Sequence, residues 1–289
     1  IKRRMIDVLV TTGANLYHDC CEALGVKHFL GSHFIDDVKL RKYKVDRIYD
    51  VFADEEKFYE VDRRIMNEFC LLLKDNHPYS SREVLYLLGK FLSNHAKERD
   101  SILISAYKSN VPIFCPALCD SSLGFSIMFA NRRKTERIVK IRGKEVVFKR
   151  RKIIVDELKD VDESSRITEK AKQTGVIYIG GGVPKNFIQQ TAVIASYQVR
   201  HERSHKYAVQ ISTELPEWGG LSGATFEEAQ SWGKIKPNAK KVSCYTDATI
   251  ALPIISHVLS ENFRKLRRNV PSFKWNENDF SIEYPRQKL

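Results

Sequence analysis

The sequence predicts an α/β protein built on a doubly wound, mostly parallel sheet with helices on both faces, and three observations lead there. Short β-rich runs alternate with helical stretches over most of the 289 residues, the pattern of strands joined by crossover helices. The strand candidates are apolar on both faces, as parallel central strands are. Glycines, hydroxyl residues and aspartates gather just after those strands, where ligands bind in such sheets. One domain over 1–289 is expected, with a helical insertion at about 36–75 and a basic β-hairpin excursion at about 132–152.

In chain order, the apolar run at 6–11 predicts the first strand, and 15–24 the helix after it. Residues 36–75 are charged, rich in aromatics and read as mostly helical, an insertion covering the sheet. A helix is expected at 82–94, the second strand at 112–116 and its helix at 123–130. Between 132 and 152, apolar and basic residues alternate around Gly143, like a hairpin with one wet face. The third strand is expected at 176–179 with a helix at 185–196. The fourth and fifth are expected at 207–212 and 241–246, with a last helix at 249–266.

Apolar residues make up 43% and charged residues 29%, ordinary for a globular chain large enough for a substantial core. No apolar run approaches the roughly 20 residues of a membrane span, and no basic-then-apolar signal segment opens the chain. The six cysteines (20, 21, 70, 115, 119 and 244) show no metal-type pairing. They mostly sit in apolar stretches, the usage of reduced core thiols in a cytoplasmic protein. The histidines are scattered without ligand spacing, so no metal is assigned. The chain opens on Ile1 and runs straight into a strand, as the ordered or processed part of a longer product would.

The net charge of +12 invites a nucleic-acid reading, but its distribution argues otherwise. Residues 132–152 hold eleven Lys or Arg against Glu136 and Glu145, and the rest of the chain carries only +3. That block is either a solvated excursion or a docking patch for an acidic partner. It lacks the aromatic interleaving of single-strand platforms, which ranks nucleic-acid binding last.

Five strand ends carry ligand-type residues: Thr11-Thr12-Gly13-Ala14, Asp120 through Gly124, Gly180-Gly181-Gly182, the loop from Thr213 to Gly223, and Asp247-Ala248. Glycines there let backbone N–H groups approach phosphates, and helix N-termini add a favourable dipole. None is a GxGxxG fingerprint. Asp120 and Asp247 are open to two readings, ribose ligand or helix N-cap.

The stretch Glu228-Ala229-Gln230-Ser231-Trp232-Gly233-Lys234-Ile235 is the most informative. It sets a lysine behind a glycine and a tryptophan, six residues after a carboxylate. A lysine beside bulky apolar groups can be desolvated, which favours the neutral, nucleophilic amine. The bland alternative is a surface lysine at the end of a helix.

Taken together, Val8-Leu-Val-Thr-Thr-Gly13, Pro112-Ile-Phe-Cys-Pro-Ala-Leu-Cys-Asp120, Gly180-Gly-Gly-Val-Pro-Lys185, Ser222-Gly-Ala224, Ser-Trp-Gly-Lys234-Ile and Tyr245-Thr-Asp-Ala248 closely resemble the deoxyhypusine synthase family over nearly the whole chain. The resemblance implies a Rossmann-like NAD-binding fold and a homotetramer with active sites at subunit interfaces. It implies that spermidine is oxidised, 1,3-diaminopropane is released and the aminobutyl group passes to an enzyme lysine. The group then moves to a lysine of a translation factor, and the NADH formed reduces the new imine.

Carried onto this sequence, Lys234 would be the nucleophile, Trp232 an apolar and π-face wall beside the cationic substrate, and Glu228 an anchor for an ammonium end. Thr12, Gly13, Ala14, Asp120, Thr213, Asp247 and Ala248 would surround NAD, and Gly181 would let backbone approach the polyamine. The departures matter too. Tyr17 and His18 stand where the family has two glutamates, Phe125 and Leu221 where it has aspartates, and Asn186 where it has a histidine. Tyr17, His18 and Asn186 would therefore line the substrate side of an altered pocket; Glu217, Glu214 or His18 would be replacement anchors, because a buried ammonium without carboxylates is costly, with a plain surface role as the alternative for each glutamate.

The family's nucleotide-contacting N-terminal loop would lie before Ile1. The expected activity is an NAD-dependent aminobutyl transfer from a polyamine through a Lys234 imine to a protein lysine or a small amine. A homospermidine synthase-like enzyme with changed specificity and a non-catalytic regulatory paralogue are the alternatives; a regulator has no chemical need for the lysine.

Overall fold

The computed structural model describes residues 1–98, 100–133, 136–141, 143–220, 224–262, 269–276 and 279–284. These divide into two compact units, one of Ile1–Lys2 and Thr11–Asp156, the other of Arg3–Val10 and Glu157–Leu289. The architecture is mixed α/β.

In the first unit, Thr12 caps the helix Gly13–Ala23 by accepting a hydrogen bond from Asn15 N. The helix buries Leu16, Tyr17, Cys20 and Ala23 on one face, the spacing of an amphipathic helix. From its outer side, Asp19 accepts hydrogen bonds from Ser101 Oγ, Ile102 N and Leu103 N at 2.7, 2.8 and 3.0 Å, which fixes the start of helix Ile102–Ser109. Helix Ser81–His95 opens on a Ser80/Glu83 capping box and packs closely on Ile102–Ser109. A Cβ on Gly89 would lie 2.6 Å from the Leu103 carbonyl oxygen.

Residues 36–75 contain more strand than expected. Val45–Ile48 and Val51–Asp54 pair antiparallel, and Val51–Asp54 also pairs with His28–Leu30. Helices Asp37–Lys42 and Glu55–Arg64 flank them, each started by an aspartate side chain, Asp36 or Asp54. Charge at Asp46, Arg47 and Asp54 hides the strand pattern, because the consecutive Asp46 and Arg47 put a charged residue on each face of this small sheet. Beyond helix Ser122–Asn131, Arg137–Ile141 and Lys144–Phe148 form the expected antiparallel hairpin, turning at Gly143. Lys134, Thr135 and Arg142 of the basic block lie outside the described residues.

In the second unit, Gly175–Ile179, His205–Ile211 and Ile235–Cys244 form a parallel sheet in chain order. The helix Gly182–Val199 connects the first two and Phe226–Ser231 the last two. Val176, Tyr178, Ala208, Phe226, Ala229 and Ile235 form a common core, with Ile188 against it. Both crossover helices therefore cover the same face, whereas Ile177, Ile179, Tyr207 and Val242 on the other are exposed. The expected strands at 6–11 and 112–116 are only two residues long, Leu9–Val10 and Ile113–Phe114.

Helix Glu157–Lys170 meets Gly182–Val199 through a Thr168–Thr191 hydroxyl hydrogen bond of 3.0 Å. The last expected helix is Ala248–Asn262, and residues 263–266 lie outside the described residues. Among the described residues, no helix is long and apolar enough to cross a membrane. Cys20, Cys21, Cys70 and Cys115 are buried as expected, whereas Cys119 and Cys244 are exposed.

Candidate active site

Lys234 owes its position to the way the helix before it ends. Thr225 caps Phe226–Ser231 by accepting from Glu228 N. At the other end Gly233 N donates to Gln230 O at 3.0 Å and Lys234 N to Ala229 O at 2.9 Å. This pair of bonds is a Schellman closure, which needs a left-handed residue at the turn, and Gly233 supplies it with φ +68°. Lys234 then passes directly into the sheet, its carbonyl accepting from His205 N at 3.0 Å. The side chain is pinned at its base from two sides and is only 7% exposed. Its Nζ lies 5.6 Å from the centre of the Trp232 ring and 3.5 Å from Asn186 Oδ1.

Asn186 arrives from the opposite direction. Strand Gly175–Ile179 runs into Gly180-Gly181-Gly182, and helix Gly182–Val199 starts there with no side-chain cap and no acid in its first turn. Lys185 and Asn186 follow on that turn. Lys185, missed by the sequence reasoning, is 5% exposed. Its Nζ donates to Gln210 Oε1 at 3.1 Å and Ala224 O at 2.7 Å. Burial pushes its ammonium down to about 8; the Glu228 carboxylate opposes that shift and Lys234 adds to it. Lys234, Asn186, Trp232, Lys185 and Glu228 thus share one neighbourhood.

A small pocket lies beside it at the carboxyl ends of the strands, lined by Gln210, Ser212, Glu214, Thr225, Glu227 and Tyr245 among others. Thr213 sits within that loop and is exposed. Asp247 acts as an N-cap, accepting from Thr249 N at 2.8 Å at the head of Ala248–Asn262, and its carboxylate stays accessible. Leu221, Ser222 and Gly223 lie outside the described residues.

In the first unit, a Cβ on Gly13 would lie 2.4 Å from Ser121 Oγ. Gly13 therefore lets the heads of two helices meet, a packing reason beside the ligand reason. Thr12, Ala14 and Asp120 are exposed around that junction. The cap of Ser122–Asn131 is Ser121, not Asp120. Tyr17 points into the core, donating its hydroxyl to Phe58 O at 3.2 Å, and burial pushes the phenol far up. This geometry gives Tyr17 a packing role.

His18 Nδ1 lies 2.9 Å from His28 Nε2, and His28 Nδ1 lies 2.7 Å from Glu22 Oε1. With Glu22 accepting from His28, the tautomers follow: His28 Nε2 accepts from His18 Nδ1–H. Burial and the His28 ring hold His18 below the usual imidazole range. Phe125 is exposed.

The fold is thus mixed α/β, with a buried lysine presented on a Schellman turn beside a parallel sheet. The chain matches the family model described as deoxyhypusine synthase over residues 1–259. It is 52% identical over 285 residues to the "Probable deoxyhypusine synthase 2" of Methanosarcina acetivorans, covering 98% of this chain and 77% of that protein. A protein of the same name in Archaeoglobus fulgidus is 46% identical, covering 90% of this chain and 79% of the relative. A solved Entamoeba histolytica structure named for deoxyhypusine synthase superposes with a TM-score of 0.56 over 93% of this chain and 69% of that one, at 20% identity, which speaks to the fold. The chain belongs to the deoxyhypusine synthase family, a family of aminobutyl transferases.

Proposed function

We propose that the chain transfers an aminobutyl-type group from a polyamine to an acceptor amine, NAD-dependently, with the group carried as an imine on Lys234. The observation that carries this reading is the buried Lys234 Nζ, held between the Trp232 ring and the Asn186 amide. Desolvation on an aromatic wall suits an amine that must attack a carbon–nitrogen double bond. Asn186 Oδ1 lies against Nζ without a neutralising charge, and Glu228, exposed on the preceding helix, would anchor a distal ammonium.

NAD, when bound, accepts a hydride from the donor amine and later returns it. The residues present fit such a group. In the second unit, Asp247 offers an exposed carboxylate beside the amides of a helix head, with Ala248 next in the chain and Thr213 exposed; in the first unit, Thr12 and Ala14 are exposed on either side of the buried Gly13, and Asp120 is exposed just before the cap of Ser122–Asn131. The chain's own residues do the rest. The Lys234 amine displaces 1,3-diaminopropane or an equivalent amine by transimination. An acceptor amine then displaces Lys234 in the same way, restoring it.

Two features favour an altered donor or acceptor. Tyr17 is taken up in the core and Phe125 is apolar, so neither supplies the carboxylate that an ammonium needs. Glu214, on the pocket wall, is the replacement anchor. The acceptor is a lysine of an acidic protein such as a translation factor, which the basic hairpin would attract, or a small amine. The fold is Rossmann-like and the assembly a homotetramer; the exposed apolar row Ile250, Ile254 and Val258 on Ala248–Asn262 supports association. The test is borohydride trapping with NAD and an amine panel. A reduced adduct on Lys234 supports the reading, and an adduct elsewhere or none with any amine defeats it.

A further inference from the structure

We propose that Glu22, His28 and His18 form a proton relay whose outer end, His18 Nε2, is the general base that takes a proton from the ammonium of an amine substrate. The relay rests on the proposed function for its amine, and its residues all belong to the first unit. Glu22 Oε1 accepts from the His28 backbone N–H at 3.0 Å and lies 2.7 Å from His28 Nδ1. His28 Nε2 lies 2.9 Å from His18 Nδ1. An ionised carboxylate only accepts, so each ring in turn carries its proton on Nδ1. The lone pair of the last ring is left on Nε2.

Aromatic rings wall the relay. The Phe58 ring centre lies 5.6 Å from that of His18 and 5.9 Å from that of His28, and Tyr17 lies 5.9 Å from His18. His18 is half-buried, and burial first, then the His28 ring, hold it below the usual imidazole range. At neutral pH it is therefore an uncharged acceptor, suited to a base and not to a charged anchor. Glu22 is raised by burial, but the His28 hydrogen bonds and Lys27 outweigh that and keep it below the usual carboxylate range. The other charged and titratable groups nearby have partners of their own. Lys27 Nζ lies 3.8 Å from Glu22 Oε2 and 3.1 Å from Glu98. Asp19 accepts from Ser101, Ile102 and Leu103. Tyr17 donates to Phe58 O and interacts with Asp62 and Cys21.

An aliphatic ammonium, with an ordinary pKa of about 10.4, keeps its proton at neutral pH. It must lose that proton before its nitrogen can attack a carbon–nitrogen double bond. In this step the ammonium N–H bond breaks, its electron pair stays on nitrogen and the proton bonds to His18 Nε2. The Nδ1 proton of His18 passes to His28 Nε2, and the positive charge comes to rest on His28 beside the Glu22 carboxylate. The two rings share one added proton, because adjacent imidazolium groups repel. Loss of that proton to solvent resets the relay, and no redox partner is needed. His28 and Glu22 act through His18 and are positioning residues.

The test is labelling of the full chain with diethyl pyrocarbonate, which reacts with neutral imidazole, read by peptide mass spectrometry against the exposed His201 in the same digest. It needs neither NAD nor turnover, so its outcome is separate from that of the Lys234 imine reading. His18 is expected to label at neutral pH. Putrescine should protect it, whereas the bis(trimethylammonium) analogue, with the same charge and no N–H to give, should not. Glu22→Gln should move the labelling midpoint of the two rings to lower pH by about one unit, tenfold in the protonated fraction. The acidic limb of kcat/KM for amine turnover should move with it, a shift that lost packing alone does not produce. A His18 that does not label in the folded protein, equal protection by the two diamines, or an unmoved midpoint in a folded Glu22→Gln overturns the relay. If Glu22→Gln does not fold, the comparison of the two diamines decides alone.

Discussion

Lys234 Nζ lies 3.5 Å from Asn186 Oδ1, a donor and an acceptor brought together from segments 48 residues apart. The amide oxygen orients the amine but carries no charge. Asn186→Asp would place a carboxylate on Lys234 and favour its ammonium. Adduct formation on Lys234 at neutral pH should fall, because the added carboxylate holds the amine as a charged partner. A faster adduct in Asn186→Asp would show that the amide does not serve the neutral amine.

Gly233 holds φ +68° to close the turn that presents Lys234. A Cβ there meets nothing within 4 Å, so the cost is conformational, not steric crowding. Gly233→Ala should cost about 1–2 kcal/mol, the penalty of a left-handed residue with a side chain. Urea unfolding measures it, and an unchanged midpoint would mean the turn is not the constraint described here.

Phe125 is exposed, so Phe125→Asp should fold normally. If the lost carboxylates explain an altered amine preference, the variant uses spermidine with higher kcat/KM. Unchanged kinetics across the amine panel would place donor recognition elsewhere.

His205 is buried, with Nδ1 2.7 Å from Thr174 Oγ1, and burial lowers its imidazolium to about 4 from 6.5. The unfolded chain therefore binds the proton first, and stability falls as pH drops from about 6.5 to about 4. The loss attributable to this group is on the order of 3 kcal/mol. Denaturant midpoints of His205→Gln measured over that window should show a shallower pH slope than wild type; an equal slope would remove His205 as the cause.

Much of this was legible in the sequence. The helices expected after the first, second, third and fifth strand runs and the three strands of the second unit appear at or near their expected places, because apolar periodicity and glycines at strand ends report local structure well; Phe226–Ser231, after the fourth, was not expected. The turn before Lys234 was not among the expectations, although Gly233 after Ser-Trp is the kind of glycine that ends a helix in a left-handed turn. Val45–Ile48 and Val51–Asp54 were hidden by charged residues, Asp46 and Arg47, on opposite faces of a small sheet. Lys185 was passed over because a lysine in a helix usually faces water, and only the approach of Gln210 and Ala224 buries it. The Glu22–His28–His18 chain depends on a strand returning beside Gly13–Ala23, a tertiary event with no local signature.

The most direct test of the central claim is mass spectrometry of reactions containing the full-length protein, NAD and a panel of amines, with Lys234→Ala alongside. The account predicts an amine-derived adduct on Lys234 and release of the leaving diamine, 1,3-diaminopropane if spermidine is used, both lost in the variant while NAD binding persists. Product formation that survives Lys234→Ala, or loss of NAD binding in that variant, would contradict the placement of Lys234 at the centre of the chemistry.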